Sequence, residues 1–231
     1  MPTRKISVIL PALDEEKTIG PVIDSIPVDR LRAAGYAVDI TVVDGHSKDM
    51  TSVIAKQRGA RLLVQHGHGK GDAVKSAFEE FDGDYLFMMD ADFTYPGERI
   101  PDMLQFLEND VYDVVMGSRL SGSIQPGAMS RLNYLGNLVL TETANVLYPA
   151  ERPITDVCTG MWGFDRDTIE HLAALKATNF EIEAEIYAKC VRGGYRVGEI
   201  PIQYLRRQSP AKLNSLKDGT KIFWRLLKER L

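Results

Sequence analysis

The sequence predicts an α/β protein built on an open, mostly parallel sheet with helices on both faces. Short apolar runs rich in β-branched residues alternate five times with segments of helical periodicity in about the first half of the chain. Polar residues follow most of these runs directly, which is typical of strands that end at a ligand-binding edge. The 231 residues, 44% hydrophobic and 26% charged, suffice for one domain with a full core.

The first three predicted strands lie at residues 6–10, 38–43 and 62–64. Each is short and apolar, and the first ends at Pro11. Helical spacing follows each strand and begins near Ile19, Val53 and Ala73. The acids that precede the first helix suit the positive end of a helix dipole, and Asp49 is placed to cap the second helix.

The fourth and fifth predicted strands, residues 85–89 and 114–116, flank a helix that uses Ile100 and Leu104. Beyond them the pattern is less regular. It indicates helices at 131–147 and 181–191, strands at 161–164 and 197–204, a basic loop at 206–216 and a terminal helix at 217–231. We therefore divide the chain into a domain of residues 1–216 and a terminal amphipathic helix of residues 217–231.

Composition limits the partners and the compartment. The formal net charge of −4 gives no bulk positive field, so we expect no nucleic-acid partner. Two cysteines, Cys158 and Cys190, are too few for a disulfide framework and indicate a reducing compartment. The chain begins without an apolar run of the signal-peptide kind, and no stretch approaches the roughly 20 apolar residues that span a bilayer. We expect a cytoplasmic protein that contacts membranes only peripherally; its oligomeric state stays open.

The sequence Asp90-Ala91-Asp92 directly follows the fourth predicted strand. Two carboxylates one residue apart at a strand end can face one divalent cation, and hard oxygen ligands suit Mg²⁺ or Mn²⁺. Such a cation would bridge a diphosphate and neutralise charge on a departing nucleotide. A polar turn is the alternative, but the apolar strand before the two acids favours a metal site.

Acidic residues at two other strand ends are candidates for nucleoside binding. Glu15 and Asp44 could accept hydrogen bonds from a nucleobase N–H and a ribose hydroxyl. The alternatives are a favourable first helical turn for residues 14–16 and a turn or cap for Asp44. Residues 67–71 combine glycines with Lys70 without the spacing of a Walker A loop, so they suit either a phosphate-binding loop or a flexible turn.

Basic residues in the second half could bind anions. The guanidinium groups of Arg119 and Arg131 match phosphate geometry, although single arginines are usually surface residues. Arg206, Arg207 and Lys212 lie in a loop that could fold over a diphosphate and exclude water, or form a solvated charge cluster. The terminal helix mixes apolar residues with lysines and arginines, which suits a helix on anionic lipid and equally a helix packed on its own domain.

Seven segments in order carry a resemblance to a known family: residues 8–15, 42–51, 69–73, 90–96, 117–119, 156–164 and 199–213. Together they resemble the family 2 glycosyltransferases of the GT-A fold. The likeness is closest to dolichyl-phosphate mannose synthases and to archaeal dolichyl-phosphate hexosyltransferases. Each motif is short, but the ordered set covers almost the whole chain.

The resemblance implies an inverting transfer from a nucleotide sugar to a polyprenyl phosphate, at the cytoplasmic face of a membrane. The acceptor phosphate oxygen would attack the anomeric carbon, and phosphate is already ionised near neutral pH, so no general base is required. Donor contacts are implied for Pro11, Ala12, Leu13, Glu15, Asp44, Ser47, Lys70, Asp90, Ala91, Asp92, Arg206 and Lys212. The implied metal ligands are Asp90 and Asp92, and the implied catalytic residues are Asp92, Arg119 and Arg131, with both arginines on the acceptor phosphate.

Two departures from the family pattern leave the donor open. Asp44-Gly45 stands where many relatives have two adjacent acids, and Thr94 stands where mannose synthases often carry glutamine. Both favour UDP-glucose or a related UDP-sugar over GDP-mannose.

Two other classes of protein are less favoured by the sequence. A nucleotidyltransferase would carry a glycine-rich loop where this chain has residues 11–15. A non-catalytic nucleotide-sugar-binding protein would not be expected to keep both aspartates and the basic loop. Within the enzyme interpretation, a soluble sugar or a protein is the main alternative acceptor.

Overall fold

The computed structural model describes residues 3–231 and shows a seven-stranded sheet with helices on both faces. The strands are β1 (Lys5–Ala12), β2 (Ala37–Asp44), β3 (Arg61–Val64), β4 (Tyr85–Met89), β5 (Val114–Ile124), β6 (Met161–Asp165) and β7 (Val197–Tyr204). The helices are α1 (Ile19–Ser25), α2 (Val28–Ala33), α3 (Thr51–Gln57), α4 (Lys70–Glu79), α5 (Ile100–Glu108), α6 (Arg131–Leu147), α7 (Arg166–His171), α8 (Ile182–Arg192) and α9 (Ser215–Arg230). The strand order is β3-β2-β1-β4-β6-β5-β7, and only β6 runs antiparallel to its neighbours. The predicted α/β class with a mostly parallel sheet is confirmed.

Two short helices and the end of one strand were not predicted. Helix α2 buries only Leu31, and α7 is equally short, so neither carries enough periodic apolar signal to be recognised. Strand β5 continues past the predicted 114–116 because it pairs again with β7 after a register shift between Ser118 and Ser123. Its outer residues are small, polar and exposed, so they show no apolar alternation.

The antiparallel strand β6 is inserted between β4 and β5. Gly163 lies opposite Phe87 in this pairing, and a Cβ there would lie 2.6 Å from a ring carbon of Phe87. A glycine is therefore required for β6 to lie beside β4 without displacing that ring. Because the strands are antiparallel, Met161 at the start of β6 pairs with Met89 at the end of β4. The turn before β6 is thereby brought to the carboxyl edge of the parallel strands.

Apolar side chains fill both faces of the sheet. In β4, Phe87 and Met89 pack on the face covered by α1 and α5, whereas Leu86 and Met88 pack on the face covered by α4 and α8. This alternation with a period of two residues places apolar side chains in both cores, as expected for strands buried on both faces. The predicted strands read as continuous apolar runs for this reason.

The terminal helix α9 begins at Ser215, two residues before its predicted start, where the Asn214 side chain accepts a hydrogen bond from the Lys217 amide at 3.0 Å. Its residues Ile222 and Leu226 are buried in the same core as residues of α6 and α8. The other side of α9 faces solvent, and Trp224 on that side is 63% exposed. Among the described residues, no helix is both long and apolar enough to cross a bilayer.

Candidate active site

The predicted polar clusters meet at the carboxyl edge of the sheet. Glu15 follows β1, Asp44 ends β2, Asp90 and Asp92 follow β4, and Arg119 lies within β5. Parallel strands direct their carboxyl ends to one edge, which explains how residues distant in sequence form one site. Glu15, Asp44, Asp92 and Arg119 are each buried despite their charge, so each depends on partners within the site.

The two carboxylates after β4 are held differently. Asp92 is 4% exposed, and its Oδ1 accepts a hydrogen bond from the Thr94 amide at 3.1 Å. Burial raises the pKa of Asp92, and the nearby charge of Asp90 raises it further, while Arg207 and Thr94 offset part of the effect. Phe93 adopts φ +63°, in the left-handed region that bulky residues rarely occupy. Such backbone is typical of functional turns, and here it directly follows the second aspartate.

Lys70 lies between two carboxylates. Its ammonium forms ion pairs with Asp90 and with Glu183, a residue near the start of α8. Burial lowers the pKa of Lys70, but the charges of Asp90 and Glu183 outweigh this effect and raise it above its ordinary value. Lys70 is therefore a permanent cation in the site. Glu183 is 5% exposed and was not among the predicted site residues.

The glycine-rich segment 67–71 runs into the first turn of α4, where the chain packs closely against residues 177–178. The amides of Gly71 and Asp72 donate to the Thr178 carbonyl at 2.9 and 3.3 Å, and a Cβ at Gly71 would lie 2.5 Å from the Ala177 carbonyl oxygen. These amides are therefore already paired within the chain. The segment presents the Lys70 side chain to the site, and the interpretation of residues 67–71 as a loop of free phosphate-binding amides does not hold for Gly71.

Arg119 forms the most extensive buried ion pair of the site. Its Nε and Nη2 lie 2.7 Å from the two carboxylate oxygens of Asp156, and its backbone amide donates to Asp156 at 3.0 Å. Nη2 also donates to the Cys158 carbonyl at 2.9 Å, and the guanidinium lies 5.3 Å from the Tyr204 ring centroid. Within residues 3–231, Nη1 makes no hydrogen bond, so two N–H groups face a possible ligand.

Glu199 on β7 supports the turn that carries Asp156. Its carboxylate accepts hydrogen bonds from the Thr155 amide and hydroxyl at 2.7 and 2.8 Å and from the Asp156 amide at 3.1 Å. Burial raises the pKa of Glu199, and its hydrogen bonds with Thr155 and Asp156 counter this rise. The guanidinium of Arg119 is thus positioned by Asp156, and the Asp156 turn is positioned by Glu199.

The basic loop reaches the site through Arg207. Its Nη2 lies 3.1 Å from Asp92 Oδ2 and 3.3 Å from Glu15 Oε1, and the ammonium of Lys212 also pairs with Glu15. Arg206, which was predicted to contact the donor, is exposed, and its backbone amide donates to Gln125 Oε1 at 2.7 Å. Consecutive side chains of a segment leaving a strand point to different sides, so only one of the two arginines faces the carboxylates.

The loops after β1 and β2 are hydrogen-bonded to each other. The Asp44 carboxylate accepts from the Ser47 amide at 3.2 Å, and Ser47 Oγ accepts from the Asp14 amide at 2.9 Å. The Gly45 amide donates to the Ala12 carbonyl at 2.8 Å, and a Cβ at Gly45 would lie 3.2 Å from that oxygen. Glycine at this position therefore suits the close approach of the two loops. Leu13 stays 40% exposed beside them.

A cavity of about 720 Å³ extends from this charged cluster to α6 and α9. Lys70, Asp90, Asp92, Arg119, Glu183 and Arg207 line one end. Leu132, Leu135, Val139, Leu216 and Phe223 line the other end. Most of these apolar side chains are well exposed, with Leu135 at 60% and Val139 at 63%. A polar, charged pocket is thus continuous with an open apolar groove.

Some predicted residues lie outside this cavity. Pro11 and Ala12 lie at the half-buried or buried end of β1, and Ala91 is buried in the turn after β4. Arg131, at the first turn of α6, is exposed and does not line the cavity, although its neighbour Leu132 does. Arg207 was recognised only as part of a basic loop, and Glu183 only as part of a helix, because their roles depend on contacts with distant residues.

The residues present fit a divalent cation. Asp90 and Asp92 supply hard oxygen ligands at the cavity wall, which suit Mg²⁺ or Mn²⁺. Among the described residues, no group of three or more His, Cys, Asp and Glu side chains could by itself hold a metal ion. The remaining ligands would have to be diphosphate oxygens and water, which is the usual arrangement for Mg²⁺ bound with a nucleotide.

Comparisons of sequence identify related proteins. Residues 7–173 match the family model described as glycosyl transferase family 2. The dolichyl-phosphate hexose transferase of Haloferax volcanii is 32% identical over 217 residues, which are 94% of this chain and 90% of that protein. The low-salt glycan biosynthesis hexosyltransferase Agl6 of the same organism is 36% identical over 215 residues. This chain spans about half the length of that relative, because the match covers 93% of this chain and 51% of Agl6.

Solved structures share the fold. Glucosyl-3-phosphoglycerate synthase from Mycobacterium tuberculosis, in complex with Mn²⁺, UDP and glucosyl-3-phosphoglycerate, superimposes with a TM-score of 0.76. The superposition covers 98% of this chain and 80% of that one, at 22% sequence identity. At this level of identity the likeness concerns the fold, and it agrees with the predicted GT-A architecture.

Proposed function

Because the chain belongs to glycosyl transferase family 2 and is a glycosyltransferase, we propose that it transfers a hexose from a nucleotide diphosphate sugar to a polyprenyl phosphate. One observation carries this proposal: a single cavity joins Asp90, Asp92 and Arg119 to an open apolar groove between α6 and α9. A polyprenyl phosphate has the matching chemistry, since it joins an anionic head to a long apolar chain. The Haloferax relative named as a dolichyl-phosphate hexose transferase supports the same acceptor class.

In this proposal the donor lies across the carboxyl ends of β1, β2 and β4. The nucleoside contacts the loops at residues 11–15 and 44–47, where Leu13 is exposed and the Glu15 and Asp44 carboxylates can accept hydrogen bonds. Asp90 and Asp92 would hold Mg²⁺ or Mn²⁺, and Lys70, which pairs with Asp90, adds a fixed positive charge. The cation, when bound, stabilises negative charge on the leaving nucleoside diphosphate. We assign the donor to the UDP-glucose type on the strength of Gly45 and Thr94.

The acceptor phosphate binds at Arg119, whose Nη1 has free donors toward the cavity. Arg131, which is exposed at the start of α6 and lies outside the cavity, is proposed as a second contact to the same phosphate. A phosphate oxygen attacks the anomeric carbon from the side opposite the nucleotide, the bond to the diphosphate breaks, and the sugar configuration inverts. The nucleophile is already ionised, so the chain contributes by positioning it and by stabilising charge.

The basic loop closes over the donor. Arg207 and Lys212, which here pair with Asp92 and Glu15, turn to the diphosphate when the donor binds, while the exposed Arg206 stays outside this contact. Such closure excludes water, which would otherwise compete with the acceptor for the sugar.

The proposal includes peripheral binding to the cytoplasmic face of a membrane. Leu135, Val139 and Trp224 expose apolar surface on α6 and α9, beside the groove mouth, and basic residues of α9 suit anionic lipid. Residues 217–231 thus act as an interfacial element of the domain formed by residues 1–216. Co-sedimentation with phosphatidylglycerol vesicles tests this: Leu135→Glu should weaken binding, and Val111→Glu, at an exposed valine in the loop between α5 and β5, should not.

Donor binding is the first test. Calorimetry with Mn²⁺ or Mg²⁺ compares UDP, GDP, UDP-glucose, UDP-GlcNAc and GDP-mannose, each with and without EDTA. Metal-dependent binding of one nucleotide is expected, with UDP preferred. Absence of binding to every nucleotide would refute the donor site and favour a non-catalytic protein.

Transfer is the second test. The preferred donor is incubated with a polyprenyl phosphate, with the corresponding unphosphorylated polyprenol and with soluble 3-phosphoglycerate, and the products are separated by chromatography. Transfer to the polyprenyl phosphate alone supports the proposal. Transfer to the soluble phosphate instead would show that the apolar groove has another occupant.

A further inference from the structure

Glu185 on α8 is a fully buried carboxylate that lies outside the cavity. Its two oxygens accept hydrogen bonds from the Lys176 amide at 2.8 Å and from the Ala177 amide at 2.6 Å. Building on the proposed function, we propose that Glu185 is a positioning residue for diphosphate binding. It anchors the turn of residues 176–178, and this turn fixes Lys70 at the site.

The anchored turn contacts the first turn of α4 through the backbone. The Thr178 carbonyl accepts a hydrogen bond from the Gly71 amide at 2.9 Å. A Cβ at Gly71 would lie 2.5 Å from the Ala177 carbonyl oxygen, so the two segments pack without space between them. Closely packed segments transmit displacements, and Lys70 is the first residue of α4. A shift of residues 176–178 would therefore move Lys70 as well.

This route to Lys70 does not depend on the metal ion. Lys70 pairs with Asp90, and a cation bound at Asp90 would compete for that carboxylate. The backbone position of Lys70 is set instead by α4 and by the turn against which α4 packs. An ammonium acts on a phosphate oxygen only within hydrogen-bond reach, so a displacement of about 1 Å is enough to weaken the contact.

The turn requires a carboxylate at this position. Two N–H donors converge on the side chain of Glu185, and a carboxylate offers two acceptor oxygens and no hydrogen that would face an amide. Its buried charge is offset by Lys189 and Arg225, whose nitrogens lie 3.9 and 3.8 Å from the carboxylate. A glutamine would keep one acceptor but direct its NH₂ group at the second amide, which leaves that buried amide unpaired. We expect the turn to shift in order to relieve this contact.

The test compares nucleoside diphosphates with monophosphates, because the monophosphate lacks the second phosphate group that a cation at Lys70 would attract. Calorimetry at saturating Mn²⁺ measures UDP against UMP and GDP against GMP, so that either base preference gives a readable ratio. The variants are Glu185→Gln, Lys70→Met and the double variant that combines them. Glu185→Asp keeps the charge that faces Arg225 but withdraws the carboxylate from the two amides, so it replaces Glu185→Gln if that variant does not fold. Glu229→Gln is the matched control, since Glu229 also pairs with Arg225, at 3.3 Å, but makes no hydrogen bond with residues 176–178.

The wild type and Glu229→Gln should prefer the diphosphate to the same extent. Lys70→Met should lose roughly ten-fold of that preference and Glu185→Gln at least about three-fold, while binding of the monophosphate stays unchanged. The double variant should match Lys70→Met within about two-fold, because Glu185 acts through Lys70. A role of Glu185 in folding alone would lower Tm and leave the ratio of the two affinities as it is.

The wild-type ratio in a folded Glu185→Gln, or in Glu185→Asp where it takes that place, would overturn the inference. Additive losses in the double variant, or an unchanged ratio in Lys70→Met, would also overturn it, because Glu185 would then not act through Lys70. In each of these cases the wild type still binds the nucleotide, so the donor site of the proposed function stands. Absence of nucleotide binding by the wild type would instead refute the proposed function and this inference with it.

Discussion

Replacing Asp156 with asparagine should destabilise the protein by about 3–5 kcal/mol, because it leaves the Arg119 guanidinium buried without a counter-charge. The Asp156 side chain is fully buried and that of Arg119 is 9% exposed, so water cannot replace the lost partner. Asp156 also accepts the Arg119 amide, and an asparagine has only one oxygen for the three N–H groups that the carboxylate now binds.

The loss is large compared with the 5–15 kcal/mol by which most domains are stable. At about 2–4 °C per kcal/mol for a chain of this size, it corresponds to a fall of roughly 6–20 °C in Tm. Thermal unfolding followed by circular dichroism measures it. Asp110→Asn is the matched control, since Asp110 pairs with Arg196 at 2.5 Å but its side chain is 87% exposed. This control should leave Tm within about 2 °C of the wild type.

A double variant separates charge from packing. Adding Arg119→Met to Asp156→Asn removes the stranded cation and should recover part of the lost stability. If Asp156→Asn unfolds within 2 °C of the wild type, or if the double variant is less stable than the single one, the reasoning that Asp156 neutralises a buried cation is refuted.

Three further predictions concern the metal site, the basic loop and pH. Asp92→Ala should abolish turnover and weaken Mn²⁺ binding in electron paramagnetic resonance while circular dichroism stays native; unchanged turnover would rule out the metal assignment. Arg207→Ala should strengthen Mn²⁺ binding without nucleotide by roughly three- to ten-fold, because a cation competing for Asp92 is removed, whereas Arg206→Ala should have no effect. The pH prediction concerns Asp113. Burial raises the pKa of Asp113, but hydrogen bonds from Arg196 outweigh burial and lower this pKa below its unfolded value. The resulting stability is present above about pH 4 and is lost as the pH falls through the lowered pKa, so Asp113→Asn should flatten the acid limb of a Tm-against-pH curve.

The state of the basic loop bears on the order of binding. Arg207 and Lys212 neutralise Asp92 and Glu15 when no donor is bound, which removes the cost of leaving these buried carboxylates unpaired. A metal ion must displace Arg207 to reach Asp92. A donor diphosphate offers both Arg207 and the metal a new partner, so we expect metal and donor to bind together more readily than the metal alone.

Several features could be predicted from sequence because they depend on neighbours along the chain. The strands buried on both faces are recognisable as short apolar runs, and the acids after β1, β2 and β4 are adjacent to those runs in sequence. Once the sheet is known to be parallel, its geometry alone places their ends at one edge. The Asp90-Ala91-Asp92 motif and the approximate position of Arg119 follow from local pattern in the same way.

Tertiary structure decided the remaining features, because they depend on contacts between residues far apart in sequence. The antiparallel placement of β6 brings the Asp156 turn to the site, and nothing in its five residues specifies a partner strand. The choice of Arg207 over Arg206 depends on how the chain leaves β7, and the role of Glu183 depends on α8 packing beside Lys70. Local periodicity indicates which face of an element is buried, but it carries no information about which distant charge will lie against that face. The charges of this site are brought together by such distant contacts, so only the tertiary structure shows them.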